Sequence, residues 1–467
     1  MTPQLALLVV YSAILVALGL WIGRRVGGAG DFFVARRQLG AGLIFATVLA
    51  PNIGAGSTVG ATGLGFSDGL SAWWWNGSAG LGSLLLAVWI GPRIWREATR
   101  HDFLTVGDFL EHRYGSTVRG IVAGLLWLGT LSILAAQLIG LAWILNVVVG
   151  IPKYAGCLIG GVLITIYFTA GGLLGSAWVN LVQLIVKLIG FALAVPLVVH
   201  AAGGLATVLS PPGMPASYQG FWGGEASIAR LALLVPAFMI SPGLLQKAYG
   251  ARSERAVRLG IGLNGLALML FALVPALLGM AARVLHPGLS NSELALPTLF
   301  MRDLPAWVGA LGLAAIFSAE VSAADAVLFM LSTSLSRDLY QRFINPRATD
   351  RQLLSVARLA AVAGGTAGIL LAIASPGIIS SLGVFYALLG VTLFVPVVAG
   401  LHARKAGAPE AVAAVASGIS ADLAIRLAWG SGGLGLLTPE LGGILAAAVG
   451  FGLLAVARCH TGALWRR

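Results

Sequence analysis

The chain reads as an all-α membrane protein with about thirteen transmembrane helices. Three observations predict this. Of the 467 residues, 58% are hydrophobic and only 10% charged, against about 25% charged in a soluble domain. The apolar residues fall into runs of the length a spanning helix needs, about 20 residues. Lys and Arg gather between those runs, with the alternation that a positive-inside topology demands. Glycine, at 64 residues without a collagen period, suits helices that approach closely in lipid. This composition excludes a water-soluble enzyme.

The expected spans, in order, are 4–22, 41–65, 71–92, 119–148, 152–170, 176–201, 228–247, 256–283, 305–335, 353–373, 377–400, 409–427 and 438–458. The first has no basic leader before it and reads as a retained helix rather than a signal peptide. Alternate loops then test the count. With the N-terminus outside and the C-terminus cytoplasmic, 23 of the 29 Lys and Arg lie on the inner side. They include Arg24, Arg25, Arg36 and Arg37, the group from Arg93 to Arg119, the group from Lys247 to Arg258, and the group from Arg337 to Arg358. Lys153, Arg230, Arg283, Arg302 and Arg426 fall at the outer side, and Lys187 falls deep within a span. The net charge of +12 therefore marks a plasma (inner) membrane topology, not nucleic-acid binding. Cys157 and Cys459 lie far apart and predict neither a disulfide nor a metal centre.

Two spans contain helix-breaking residues. Span 41–65 carries Ala50-Pro51-Asn52-Ile53-Gly54-Ala55-Gly56-Ser57. Proline lacks a donor and glycine does not resist unwinding, so this helix is expected to open between Ala50 and Ser57. Carbonyls freed at membrane depth need a cation or a polar solute as partner. Span 228–247 carries Pro236 and then Ser241-Pro242-Gly243. These two spans run in opposite directions, and each heads a group of five helices, 41–201 and 228–400. That is the arithmetic of an inverted repeat, with 4–22 before it and two helices, 409–458, after it, in one domain spanning 1–467.

Few ionisable groups lie deep. Lys187, Glu320 and Asp325 are the main ones, and each is costly to bury unless paired or wetted. Asn180, Gln183 and Lys187 share one helix face, as a polar route or a helix staple. Asp422 lies near a helix end and reads as structural.

Several stretches then carry a resemblance. They are Asp31 to Gly40, Thr105 to Asp108 with Glu111 to Gly115, and Gly171-Gly172 to Gln183. Ser241 to Lys247, and Ala314 to Ala319 followed by Ser322, Asp325, Ser332-Thr333 and Asp338 to Tyr340, complete the set. In order and spacing these resemble the sodium:solute symporter family, which includes bacterial proline, pantothenate, sialic acid and sugar carriers and animal glucose, iodide and choline carriers.

The resemblance implies a leucine-transporter-like fold of five plus five helices and sodium-coupled import of a small organic solute by alternating access. It implies a Na⁺ site formed by the carbonyls of Ala50, Ile53 and Ala319 and the hydroxyl of Ser322. Two departures stand out. Ala323 follows Ser322 where the family has a second hydroxyl, and Val179-Asn180 stand where it has Thr-Asp.

Lys187 lies seven residues beyond Asn180, about 10 Å along a helix. It either pairs with Glu320 and leaves sodium bound, or takes the ion's place. The second case makes the carrier H⁺-coupled or a uniporter. Asn180, Gln183, Lys187, Glu320 and Asp325 are the candidates for coupling or an ion path. Asn52, Ser57, Trp75, Asn76, Gln137, Ser241 and Tyr386 are the candidates for solute contact. No organic cofactor, no obligate protein partner and no enzymatic centre is expected. A membrane sensor that binds a solute without flux is the competing class.

Overall fold

The structure, a computed structural model, describes residues 5–7, 9–14, 17, 39–403 and 406–460. The motif at Asp31 to Gln38, most of the expected span 4–22 beyond residue 14, and the tail after His460 lie outside the described residues. The described secondary structure is helical apart from two isolated backbone bridges.

Ten helical segments among the described residues are long and apolar enough to cross a membrane. Three shorter apolar helices, Leu5–Ile14, Ala41–Asn52 and Lys153–Ile166, accompany them. Two expected boundaries differ from the backbone. Spans 41–65 and 71–92 divide earlier, at Ile53, after which helical backbone runs from Ala55 to His101. Spans 152–170 and 176–201 form one helix, Lys153–Ala201. The glycine pair at 171–172 lowers helix propensity but keeps its N–H groups, so the hydrogen-bond ladder has no reason to stop there.

The helix Ala306–Thr333 is the centre of the molecule. From Val308 to Thr333 nearly every side chain is buried. It packs against Lys153–Ala201, Ser116–Val149 and Ala41–Asn52. The N-terminal helix reaches it too, through a 2.6 Å hydrogen bond between Tyr11 Oη and Ser318 Oγ. Elsewhere small residues let backbones touch. A Cβ on Gly279 would lie 2.2 Å from the Thr62 carbonyl, and one on Gly65 would lie 2.6 Å from that of Ala276. Helices Val59–Asp68 and Leu273–Leu285 are locked together by that fit.

Polar ties close the two ends of the bundle. At one end Tyr218 Oη donates to the carbonyls of Gly65 and Phe66 at 2.8 and 3.1 Å, and Arg230 pairs with Asp68. At the other, Arg119 sits among Asp108, Glu111 and Asp338 at 2.9, 2.8 and 2.7 Å. Thr105 caps Val106–Tyr114 and also donates to Asp338 at 2.7 Å. Asp422 has the structural place expected of it, joined through Arg426 to Glu440, so the last two helices are stapled.

Candidate functional site

The helix Ala41–Asn52 stops where the sequence predicts. Its end exposes backbone groups in a definite pattern. In an unbroken helix the Ala50 carbonyl would accept from the Gly54 N–H, and that of Ile53 from the Ser57 N–H. Here Gly54 N–H donates to Ser57 Oγ at 2.9 Å, and Ser57 N–H turns back to the Gly54 carbonyl at 3.0 Å. Two carbonyls are thereby released at the negative end of a helix dipole. Ser57 Oγ completes the knot by donating to the Asn52 carbonyl at 2.7 Å.

The released carbonyls face Lys187, which is fully buried. Its Nζ donates to Ala50 O at 2.5 Å, to Ile53 O at 3.2 Å and to Ser322 Oγ at 2.7 Å. Ser322 Oγ lies 3.1 Å from Ala50 O and 3.2 Å from Ala319 O, so its own proton has an acceptor. Of the two places expected for Lys187, the structure shows the one at the cage oxygens and not a pairing with Glu320. Glu320 instead accepts from Thr58 Oγ1 at 3.3 Å, its carboxylate packed where Gly140 leaves room. The physical reason is geometric. The helix end offers oxygens in an arc that three ammonium protons can satisfy, whereas one carboxylate cannot. Of the four expected cation ligands, Ala50, Ile53 and Ser322 touch Nζ, and Ala319 is reached only through Ser322. Three of the four oxygens expected to hold sodium thus accept from an ammonium.

Beside this cage lies a cavity. Asn52, Ser57, Trp75, Asn76, Gln137, Ser241 and Tyr386 all line it, with Phe238, Leu382, Phe385 and Lys247 among its other walls. Several of these polar groups already have structural work. Gln137 Oε1 accepts from Ala55 N–H at 2.8 Å, and Asn76 donates to the Ser57 carbonyl at 3.0 Å. Asn52 donates to Asn264 Oδ1 at 3.1 Å. Trp75 meets Tyr386 edge-on, with ring centroids 6.3 Å apart. Trp73 and Trp74 point elsewhere, donating to the carbonyls of Met269 and Phe221. The second break frames the opposite wall. Helix Glu225–Ile240 ends at Ser241, and Pro242–Tyr249 begins at once.

Asn180, Gln183 and Asp325 are buried on the helices flanking the cage, but none lines the cavity. Lys247 and Asn264 are the residues that sequence reasoning missed. Lys247 counted as a loop cation, yet its Nζ reaches in to donate to Thr47 O at 2.6 Å. Asn264 sits in an apolar run, where a lone amide inside the span was the available signal.

Broken helices that flank a central cavity define a secondary carrier. Residues 32–418 match the Sodium:solute symporter family, and the chain belongs to that family. It is 28% identical over 453 residues to the sodium/pantothenate symporter of Escherichia coli, covering 88% of each chain. It is 24% identical to the sodium/glucose cotransporter of Vibrio parahaemolyticus, covering 76% of this chain and 71% of the other. Its fold matches a solved substrate-bound, outward-open Na⁺-coupled sialic acid symporter with a TM-score of 0.82 at 19% identity, covering 97% and 98%. The fold is leucine-transporter-like. The protein is a multi-pass plasma-membrane symporter, secondary-active and working by alternating access on a small solute, with its family's coupling to sodium, and it is not an enzyme.

Proposed function

We propose that this symporter imports a small amphiphilic organic acid. The observation that carries the reading is a lysine amine in the cavity wall. Among the described lining residues Lys247 is the one charged side chain, and no carboxylate faces it there. Its bond to Thr47 O leaves donors for a second acceptor. Aromatic faces of Trp75, Phe238 and Tyr386 suit an apolar body, and the amides of Asn52, Asn76 and Gln137 with the hydroxyls of Ser57 and Ser241 suit hydroxyl or amide groups. The similarity to a sodium/pantothenate symporter supports the same class, since pantothenate is a hydroxylated carboxylate.

The test is uptake into proteoliposomes under an inward sodium gradient. Radiolabelled pantothenate and short hydroxycarboxylates are the probes, with their neutral amides as competitors. Carboxylates are expected to enter and the amides to compete poorly. Lys247→Gln should raise the half-saturating concentration about tenfold, the loss of one charge-assisted hydrogen bond. Equal competition by the amides defeats the acid reading.

The proposed topology has thirteen helices, N-terminus outside and C-terminus cytoplasmic. Ten long apolar helices and three shorter ones support that number where Lys153–Ile166 and Val182–Ala201 are counted as separate passes of the one continuous helix. The two breaks, at Ile53 and Ser241, support paired repeats at 41–201 and 228–400, flanked by 4–22 and 409–458. Asn180, Gln183, Glu320 and Asp325 belong in this reading to an ion path beside the cage. In a cysteine-free background, a cysteine at position 212 should label in intact cells and one at 463 only after permeabilisation. The reverse pattern refutes the orientation.

A further inference from the structure

We propose that Lys187 is the permanent occupant of the oxygen cage at the broken helix, a tethered ammonium standing where the family resemblance places a free sodium ion. The proposal does not depend on which solute is carried.

Stoichiometry is the first argument. An ammonium has three N–H donors, and the cage presents three acceptors, Ala50 O, Ile53 O and Ser322 Oγ, at 2.5 to 3.2 Å. The sodium site that the resemblance implies takes a fourth oxygen, the Ala319 carbonyl. The second argument is what flanks the cage. Ala323 offers no oxygen beside Ser322, and its methyl group stands 2.6 Å from where a Cβ on Gly54 would be. The Ala319 carbonyl faces the Ser322 hydroxyl and makes no bond to Nζ. The ligand set is thus short for sodium and complete for lysine.

A buried ammonium without partners is very costly. Three hydrogen bonds and the negative end of the helix Ala41–Asn52 offset part of that cost for Lys187. The ammonium also joins two bodies, because it leaves from Lys153–Ala201 and ties the helix end at Ala50 to Ser322 on Ala306–Thr333. That is the bridging a bound cation would perform. Any sodium ion this carrier moves must therefore be held by other oxygens.

The experiment is thermal unfolding of the purified full-length protein in detergent, titrated with sodium chloride against choline chloride at constant ionic strength. For the wild type, any sodium-specific rise in Tm should be unchanged in half-saturation by Ser322→Ala. Lys187→Ala should gain a new, saturable, sodium-specific rise of a few degrees as the vacated cage takes the ion. Adding Ser322→Ala to Lys187→Ala should remove that gain. Two results overturn the proposal: a wild-type sodium response that Ser322→Ala weakens tenfold or more, or a folded Lys187→Ala that gains none. If Lys187→Ala does not survive purification, the comparison of the wild type with Ser322→Ala decides alone.

Discussion

Gln137 shows how one side chain holds an unwound backbone in lipid. Its Oε1 accepts from the Ala55 N–H, which has no helical partner once the chain opens. In hydrocarbon that N–H would otherwise go unsatisfied. Gln137→Ala is expected to cost about 1–3 kcal/mol. Thermal unfolding should show the loss, and uptake should fall more than the amount of protein in the membrane. Thr58 has a related task, lying 2.9 Å from the Gly54 carbonyl and 3.3 Å from the carboxylate of Glu320. Residues of this kind were legible in the sequence as polar positions in apolar runs. Their partners were not, because a hydrogen bond between positions 55 and 137 depends on how two helices cross. Lys187 illustrates the limit. Its place beside the cage followed from helix spacing, but the choice between the cage and Glu320 depended on the arc of freed carbonyls.

At the scale of the element, the break between Asn52 and Thr58 is the feature on which the site depends. Proline and two glycines within eight positions made it readable. The continuity through 171–172 was not readable, because glycine permits a break without requiring one. Close packing now fixes the break. A Cβ on Gly54 would stand 2.6 Å from the Ala323 methyl and 2.8 Å from Gln137 Oε1. Gly54→Val is therefore expected to force the broken segment away from both, at about 1–3 kcal/mol for overpacking. Transport should be abolished while surface expression and membrane insertion persist. Normal uptake by Gly54→Val would show that the segment need not hold this position.

For the whole molecule, the ion network around Arg119 ties the segment Val106–Tyr114 to the far end of the central helix. Arg119 is largely buried, and Arg119→Ala leaves Asp108, Glu111 and Asp338 facing one another. The expected cost is about 3–5 kcal/mol, as for a broken buried pair, measurable as a lowered Tm. Glu111, outside the spans, adds a pH dependence. Burial pushes its carboxyl up, but the Arg342 and Arg119 guanidiniums together pull it further down, so it lies below its ordinary value of 4.5. A carboxyl lowered on folding lends stability that is complete above its unfolded value and lost as the pH falls through the folded one. Stability should decline on acidification below about pH 4.5, and Glu111→Gln should flatten part of that decline. An unchanged slope would remove Glu111 from the account.

A tethered cation has a thermodynamic consequence that a dissolved one does not. A free ion links a carrier to a gradient because it arrives from one compartment and departs into the other, and the drop in its chemical potential is what lifts the solute uphill. A lysine side chain never departs. Its local concentration at the helix end is set by chain length and rotamers, not by the medium. It can therefore bias which way the carrier faces, by its different contacts in each state, but while it keeps its proton it cannot deliver work. The work of accumulating the solute has to come from some species that is released on the far side.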